Sequence, residues 1–548
     1  MITSLNEAVK KYWALALVFV SIIGVCLLFC LRKQGLFIDE IYTYGLSNSF
    51  NAPYLTDIKG GNLIDKTITQ SEVEAYLSAG EDDAFRFDSV YHNLERDVHP
   101  PLYYWIFHFV SSLFRGSSSK WIGLGINAVL FLLTCIALCA LATELYGSVD
   151  IAACVTALYG MSVLGLSTVM MIRMYMLLTL FTVLLALTVA RLMHAPEKCR
   201  TYVFLLLVIF GGMMTQYYFV FYAFFLCAAY DFYALVHKRY RSFLWFSLCA
   251  LAGVGLMVCI FPASLQQVFQ GNGQAVGGSS VTEALKDVST YGERLSSFGE
   301  KVKLMLRGMR WAAAGAAVCL LISLKTLPDA IRNRRIPFDA LVILLPLPCA
   351  YLLSVLVAPL QAQELRYIYN LTPIAALGIG LLLCLPEQSL RGCRYGYAIK
   401  KAFVLLVFAA ALLSAKAKPP ATLFTEQAVY RDLAQANADR KCVYITDGPR
   451  AFGPITQDLL ELKCFPDFFV TNDTASPALK EYLGDADSAV LYISTNDYWT
   501  DGYGYHPEAM LRSFGEDTGL TESEILYLYD FEGQGGLSET YLMKGMKP

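Results

Sequence analysis

The residues best equipped for chemistry in this chain are few, and they sit at the borders of apolar runs. Asp39 and Glu40 are adjacent in Phe37-Ile38-Asp39-Glu40-Ile41-Tyr42-Thr43, just after the first run. A carboxylate at such a border meets a falling dielectric, which raises its pKa, or a cationic partner, which lowers it. Either environment suits a general base or a cation ligand. A solvated helix start, where the dipole favours acids, also accounts for the pair. Asp97 and His99 stand in Arg96-Asp97-Val98-His99-Pro100-Pro101-Leu102-Tyr103-Tyr104. The two prolines suit a helix start, because the first turn needs no amide donors and proline pre-sets φ. That geometry does not require the Asp or the His, although His99 also reads as an interfacial packing residue. Arg173, in Met171-Ile172-Arg173-Met174-Tyr175, opens an apolar run, where a charge is costly unless paired or hydrated. Snorkelling of its head to the interface is the alternative. Glu364, Arg366 and Tyr367 stand in Gln363-Glu364-Leu365-Arg366-Tyr367-Ile368-Tyr369. The planar guanidinium of Arg366 suits a phosphate, which accepts its parallel donors; a Glu364–Arg366 ion pair is the alternative. A divalent cation is left open, with Asp39, Glu40, Asp97 or His99 as its ligands; no other cofactor is implied. The glycine-rich stretch 271–278 follows an apolar run rather than a strand and lacks a Gly-Lys-Ser/Thr ending, so it does not read as a nucleotide loop.

The elements that must position these residues are membrane helices. Of 548 residues, 56% are hydrophobic and only 16% charged, with a mean hydropathy of +0.47. A soluble domain carries about 25% charged residues. A net charge of −3 gives no footprint for nucleic acid. Apolar runs fall at 12–31, 121–142, 149–171, 174–193, 201–215, 217–236, 243–262, 309–326, 338–360, 367–385 and 401–415. About 20 helical residues cross a roughly 30 Å hydrocarbon core, so these read as about 11 transmembrane helices. The run 101–114 is too short to cross upright and reads as a juxtamembrane helix. Basic clusters at 194–200, 237–241, 332–335 and 391–401 then all face the cytoplasm. The chain is thus expected to be a multi-pass cell-membrane protein with a cytoplasmic N-terminus. Residues 32–100, Arg173, the 263–305 loop, Glu364–Arg366 and everything after about residue 418 lie outside.

The expected division is a transmembrane domain at 1–417, containing the first outer loop 32–120, and a soluble domain at 418–548. In the latter, short β-like runs at 442–446, 467–471, 489–494, 525–529 and 540–544 alternate with helical ones at 455–463 and 477–483. This is the pattern of a small α/β domain. It shows no nucleophile–base arrangement and reads as an accessory or acceptor-recognition domain. Of 15 cysteines, 12 lie in or beside apolar runs, and Cys199 falls at a turn. There cysteine acts as a small hydrophobe. Cys442 and Cys464 remain, in a compartment where disulfides persist, flanking a strand–helix–strand unit. A disulfide between them is expected.

An acidic pair after the first helix, then His-Pro-Pro-Leu-Tyr-Tyr about 60 residues on, resembles the type C (GT-C) membrane glycosyltransferases. The likeness is to the protein O-mannosyltransferase and lipid A aminoarabinose transferase group, over roughly residues 12–415. The resemblance implies a GT-C-like fold with a juxtamembrane helix in the first outer loop, and a polyprenyl-phosphate sugar as donor. It implies Asp39 as the catalytic carboxylate, with Glu40 as the second acid of the pair. Arg366, with Tyr367 and Arg173, is expected to hold the donor phosphate, and transfer to an acceptor hydroxyl would invert the anomeric carbon. The acceptor is left open among lipid, glycan and protein, as is the sugar. A transporter or flippase of lipid-linked glycans is the alternative, in which intramembrane charges mark a substrate path. Such proteins often show two similar halves, and none is visible in this sequence.

Overall fold

A computed structural model describes residues 2–195, 198–269, 286, 288–307, 309–323, 338–358, 365–389, 396–417, 419–446, 452–494, 507–530 and 536–545. Glu364 and the glycine-rich stretch 271–278 lie outside the described residues. The described residues form two compact units. One comprises Met1–Leu31, Val98–Tyr103 and Leu124–Ala421; the other comprises Arg32–Asp97, Tyr104–Gly123 and Thr422–Pro548. This grouping differs from the linear division at 417/418, because most of the first outer loop belongs with the C-terminal residues.

The first unit is helical because its sequence is apolar in long runs with few breakers. Among the described residues, seven helices are long and apolar enough to cross a membrane: Tyr12–Arg32, Lys120–Tyr146, Tyr175–His194, Phe219–Val236, Tyr240–Ile260, Phe338–Val357 and Leu365–Leu383. An eighth span is the pair Val149–Gly160 and Val163–Met170, bent by 56°. The bend falls at Ser162, whose hydroxyl accepts the Gly165 N–H at 2.9 Å and so restarts the helix. Cys199–Met213 and Ala402–Lys416 are shorter apolar helices, and Arg310–Ser323 is helical over 14 residues. Each of the eleven apolar runs therefore carries helix among its described residues, while fewer reach full spanning length. Large apolar side chains such as Val20, Phe232, Leu251 and Leu413 are exposed on these helices. Lipid is the solvent that makes that exposure favourable, and the chain is an integral multi-pass membrane protein. Small residues let helices close up: a Cβ on Gly253 would lie 2.9 Å from Leu206 O, on the helix packed against it.

The second unit is built on a six-stranded mixed sheet. Its strands are β1 (Lys66–Thr69), β2 (Lys441–Ile445), β3 (Asp467–Thr471), β4 (Ser488–Ser494), β5 (Glu522–Asp530) and β6 (Gly536–Lys544). The order is β1-β3-β2-β4-β6-β5. β2 pairs parallel to both β3 and β4, through connections that carry helices, and the other pairings are antiparallel. Strand alternation gives the sheet two faces. Val443, Ile445, Leu491, Ile493, Tyr541 and Met543 form an apolar core with Leu479, Leu483, Phe514 and Leu520. β1 comes from the first outer loop, with Lys66 opposite Val470 and Thr69 opposite Asp467. The run 101–114 is a helix of 12 residues, Leu102–Leu113, not a span.

The expected Cys442–Cys464 disulfide is not formed; both thiols are free. The register explains this. Val443 lies opposite Phe469, so Cys442 neighbours the body of β3. Cys464 precedes that strand, at the end of the Leu459–Leu462 turn, where its thiol donates to Leu460 O.

Candidate active site

Asp39 rides on the helix Ile38–Asn48, at its second position. Phe37 before it is extended, with φ −74° and ψ 153°, and the helix starts there because Glu40 reaches back to accept the Phe37 N–H at 2.6 Å. The same carboxylate oxygen receives Lys33 Nζ at 3.0 Å, and both side chains are fully buried. Lys33 also donates to Thr422 O at 2.6 Å and lies over the Phe424 ring. Glu40 is thus engaged as a helix cap and in a buried ion pair. Asp39 itself is half-buried, and its backbone carbonyl accepts the Thr43 hydroxyl. Deeper in the helix, the Tyr44 hydroxyl donates to Ser119 O at 2.9 Å and its ring meets Phe107 edge-on. These contacts dock the helix against the segment 104–123 of the same unit.

The far end of the 32–100 segment returns to this helix. Tyr42, one turn after Asp39, meets the Tyr54 ring edge-on at 6.1 Å. Tyr54 donates to Arg96 O, and Arg96 pairs with Asp57 at 2.9 Å. Burial, then the charge of the buried Asp97, pushes the Tyr54 phenol up. Asp97 therefore stands within electrostatic reach of Tyr54, and the two ends of the loop converge on one aromatic cluster. No group of three His, Cys, Asp or Glu is arranged to hold a metal ion among the described residues.

His99, Arg173, Arg366 and Tyr367 belong to the other unit. His99 is half-buried before Pro100 and Pro101, and the Leu102 N–H donates to Met214 O at 3.0 Å. Tyr103, in the same motif, donates to Asn127 Oδ1 at 2.9 Å. Asn127 Nδ2 in turn donates to Val169 O at 3.0 Å and Met171 O at 2.7 Å. Those carbonyls end the helix Val163–Met170, and Arg173 occupies the break before Tyr175–His194. Asn127 thus ties the His-Pro-Pro-Leu-Tyr motif to the Arg173 segment. Arg173 is buried. Arg366 opens the turn Leu365–Leu371, with its guanidinium 5.3 Å from the Tyr367 ring. Tyr367 lies 4.9 Å from Tyr218, and Tyr369 lies 6.2 Å from Tyr175, two residues after Arg173. Aromatic pairs therefore gather the Arg173 and Arg366 segments in one unit.

Sequence reasoning missed two interior cations. Arg294 is buried and donates to Thr290, Leu356 O and Ala358 O. Lys301 is buried too, and desolvation, then Arg294, pulls its ammonium pKa down. Neither stands in a motif, and only tertiary structure reveals their burial. Asn127 was hidden in an apolar run, where a lone polar residue is the one available signal.

Comparison with known proteins bears on both units. The family described as dolichyl-phosphate-mannose-protein mannosyltransferase matches residues 98–265, which include the His-Pro-Pro motif, Asn127 and Arg173. No curated protein matches in sequence. Among solved structures, ArnT from Cupriavidus metallidurans in the apo state superposes with a TM-score of 0.50 at 12% identity, over 96% of this chain and 97% of that one. The same protein bound to undecaprenyl phosphate gives 0.49 at 11% identity, over 96% and 98%. The oligosaccharyltransferase AglB from Archaeoglobus fulgidus gives 0.44 at 11% identity, over 96% and 80%. Helical spans, a soluble mixed sheet and the matched central segment agree: the chain has the fold of the type C integral membrane glycosyltransferases.

Proposed function

We propose that this protein transfers a sugar from a polyprenyl-phosphate donor to an acceptor hydroxyl on the outer face of the membrane, with Asp39 as the catalytic base. The observation that carries the reading is the division of labour in the acidic pair. Glu40 is buried against Lys33 and caps the helix, while its neighbour Asp39 is half-buried on the first turn. In this reaction the Asp39 carboxylate takes the proton of the acceptor hydroxyl. The acceptor oxygen bonds to the anomeric carbon, and the bond from that carbon to the phosphate oxygen breaks. The polyprenyl phosphate leaves with the electron pair, and a single displacement inverts the carbon. Cations that bind the phosphate more tightly as its charge develops lower the barrier. Arg366 and Arg173 are the candidates, supported by the aromatic contacts that gather their segments. A divalent cation at Asp39 or Asp97 would supply Lewis-acid assistance; no converging third ligand supports it among the described residues.

The test uses the full-length protein in nanodiscs and a panel of undecaprenyl-phosphate hexoses and pentoses labelled in the sugar. Extracts of the cells' own membranes supply the acceptor. Asp39→Asn should lower transfer by about two to four orders of magnitude while leaving undecaprenyl phosphate binding intact. Arg366→Ala should weaken that binding, and Arg366→Lys should restore it in part, because an ammonium lacks the planar fork. Wild-type turnover by Asp39→Asn would remove Asp39 from the mechanism. Translocation of the labelled lipid in proteoliposomes, without transfer from any donor, would favour the flippase.

A further inference from the structure

The segment that delivers Asp39 to its helix is held by the C-terminal domain. Gln34 donates its N–H to Leu423 O at 2.7 Å, and Lys33 reaches Thr422 O. At Leu36 the grip becomes two-sided. Gln427 Oε1 accepts the Leu36 N–H at 2.9 Å, and its Nε2 donates to Leu36 O at 3.4 Å. Gln457 Nε2 donates to the same carbonyl at 3.0 Å. Both glutamines are buried, and they come from different helices of the C-terminal region, Gln427–Ala436 and Phe452–Gln457. The residue before the clamp is glycine for a steric reason: a Cβ on Gly35 would overlap Gln427 Oε1 and crowd Phe424. Leu36 is three residues from Asp39, with the capped turn Phe37–Glu40 between them, so its backbone sets where that turn begins.

We propose that Gln427 and Gln457 are positioning residues for Asp39, and that the C-terminal domain is thereby a working part of the catalytic site. This rests on the reading of Asp39 as the base. Gln427 pairs with both the N–H and the C=O of Leu36, as one rung of a β-ladder would, and Gln457 adds a second donor to that carbonyl. The arrangement fits a general base, whose rate depends on being held within a fraction of an ångström.

The experiment compares Gln427→Met, Gln457→Met and Gly35→Ala with wild type and with Asp39→Asn, all as full-length protein in nanodiscs. Hydrogen exchange by mass spectrometry reads the peptide covering 36–43, independently of activity. Transfer from the undecaprenyl-phosphate sugar that wild type uses gives kcat and KM. Expected are faster exchange in 36–43 with β4 unchanged, and a kcat lower by about ten- to a hundredfold at a donor KM within about twofold. In the Asp39→Asn background, Gln427→Met should cost nothing further, because there is no longer a base to misplace. Gln427→Glu provides rescue: protonated, it can accept and donate as the amide does, so its activity should recover at acidic pH. Unchanged exchange in 36–43, or unchanged kcat in folded Gln427→Met, overturns the proposal. If Gln427→Met does not fold, a Gln427→Glu pH profile identical to wild type overturns it instead. Full activity in Asp39→Asn overturns the reading of Asp39 itself, a result distinct from the others.

Discussion

Removing Lys33 exposes the energetics of the Lys33–Asn48 segment most directly. In wild type, Lys33 Nζ and Glu40 Oε2 are 3.0 Å apart, and both side chains are fully buried. At that distance, an effective dielectric of about 20 gives an attraction of roughly 5 kcal/mol. Most of this offsets the cost of burying two charges, so the net value of the pair is small. Lys33→Met does not refund that cost. It leaves the Glu40 carboxylate buried without its cation, and breaking such a pair typically costs about 3–5 kcal/mol. For a unit of this size that corresponds to a melting shift of about 10 °C. Lys33→Met/Glu40→Gln removes both charges and keeps an acceptor for the Phe37 N–H, so it should recover most of the loss. Scanning fluorimetry of the protein in detergent, with tryptic cleavage of the outer loop as a local probe, measures all three variants. The reasoning is refuted if Lys33→Met melts within about 2 °C of wild type, or if the double variant is no better than the single.

Two further outcomes follow from buried polar groups. Asn127→Leu removes the donor to Val169 O and Met171 O and the acceptor of the Tyr103 hydroxyl, at about 1–3 kcal/mol for a buried group left unsatisfied. It should lower the melting point of the membrane unit and weaken undecaprenyl phosphate binding; a wild-type melt and wild-type affinity would count against the tie to Arg173. Burial pushes Asp458 up to about 7, against hydrogen bonds that lower it, among them that from Tyr444. Because the folded value lies above the unfolded one, the folded state holds the extra proton. Stability is therefore fully present below the unfolded pKa of about 4 and is lost as pH rises through about 7, by a few kcal/mol. Asp458→Asn should flatten melting against pH across that window and raise the melting point at pH 8; an unaltered profile would show that Asp458 is not the titrating group.

Much of this was legible because membrane helices and half-buried strands write long, periodic signals. The eleven apolar runs all became helices, and the short run 101–114 became the 12-residue helix Leu102–Leu113. The C-terminal strands fell close to where the alternation placed them. What escaped was pairing at a distance. β1 is four residues, Lys-Thr-Ile-Thr, whose partner β3 lies about 400 positions later. Nothing local distinguishes it from loop, so the first outer loop was assigned to the membrane part. The bend at Ser162 has no proline to announce it. The disulfide failed because it required knowing the register of β2 against β3, and spacing alone leaves that open.

The acidic pair shows the same limit at the site itself. Two carboxylates in sequence look interchangeable, and the helix dipole favours both. The fold separates them by what each can reach. Glu40 is long enough to bridge the Phe37 N–H and Lys33 with one oxygen, and it does so inside the protein. Burial there is tolerable only because the lysine supplies the opposite charge. Asp39 is one methylene shorter, sits a residue earlier, and is half-buried instead. The lysine therefore permits the cap that starts the helix by offsetting the buried charge of Glu40.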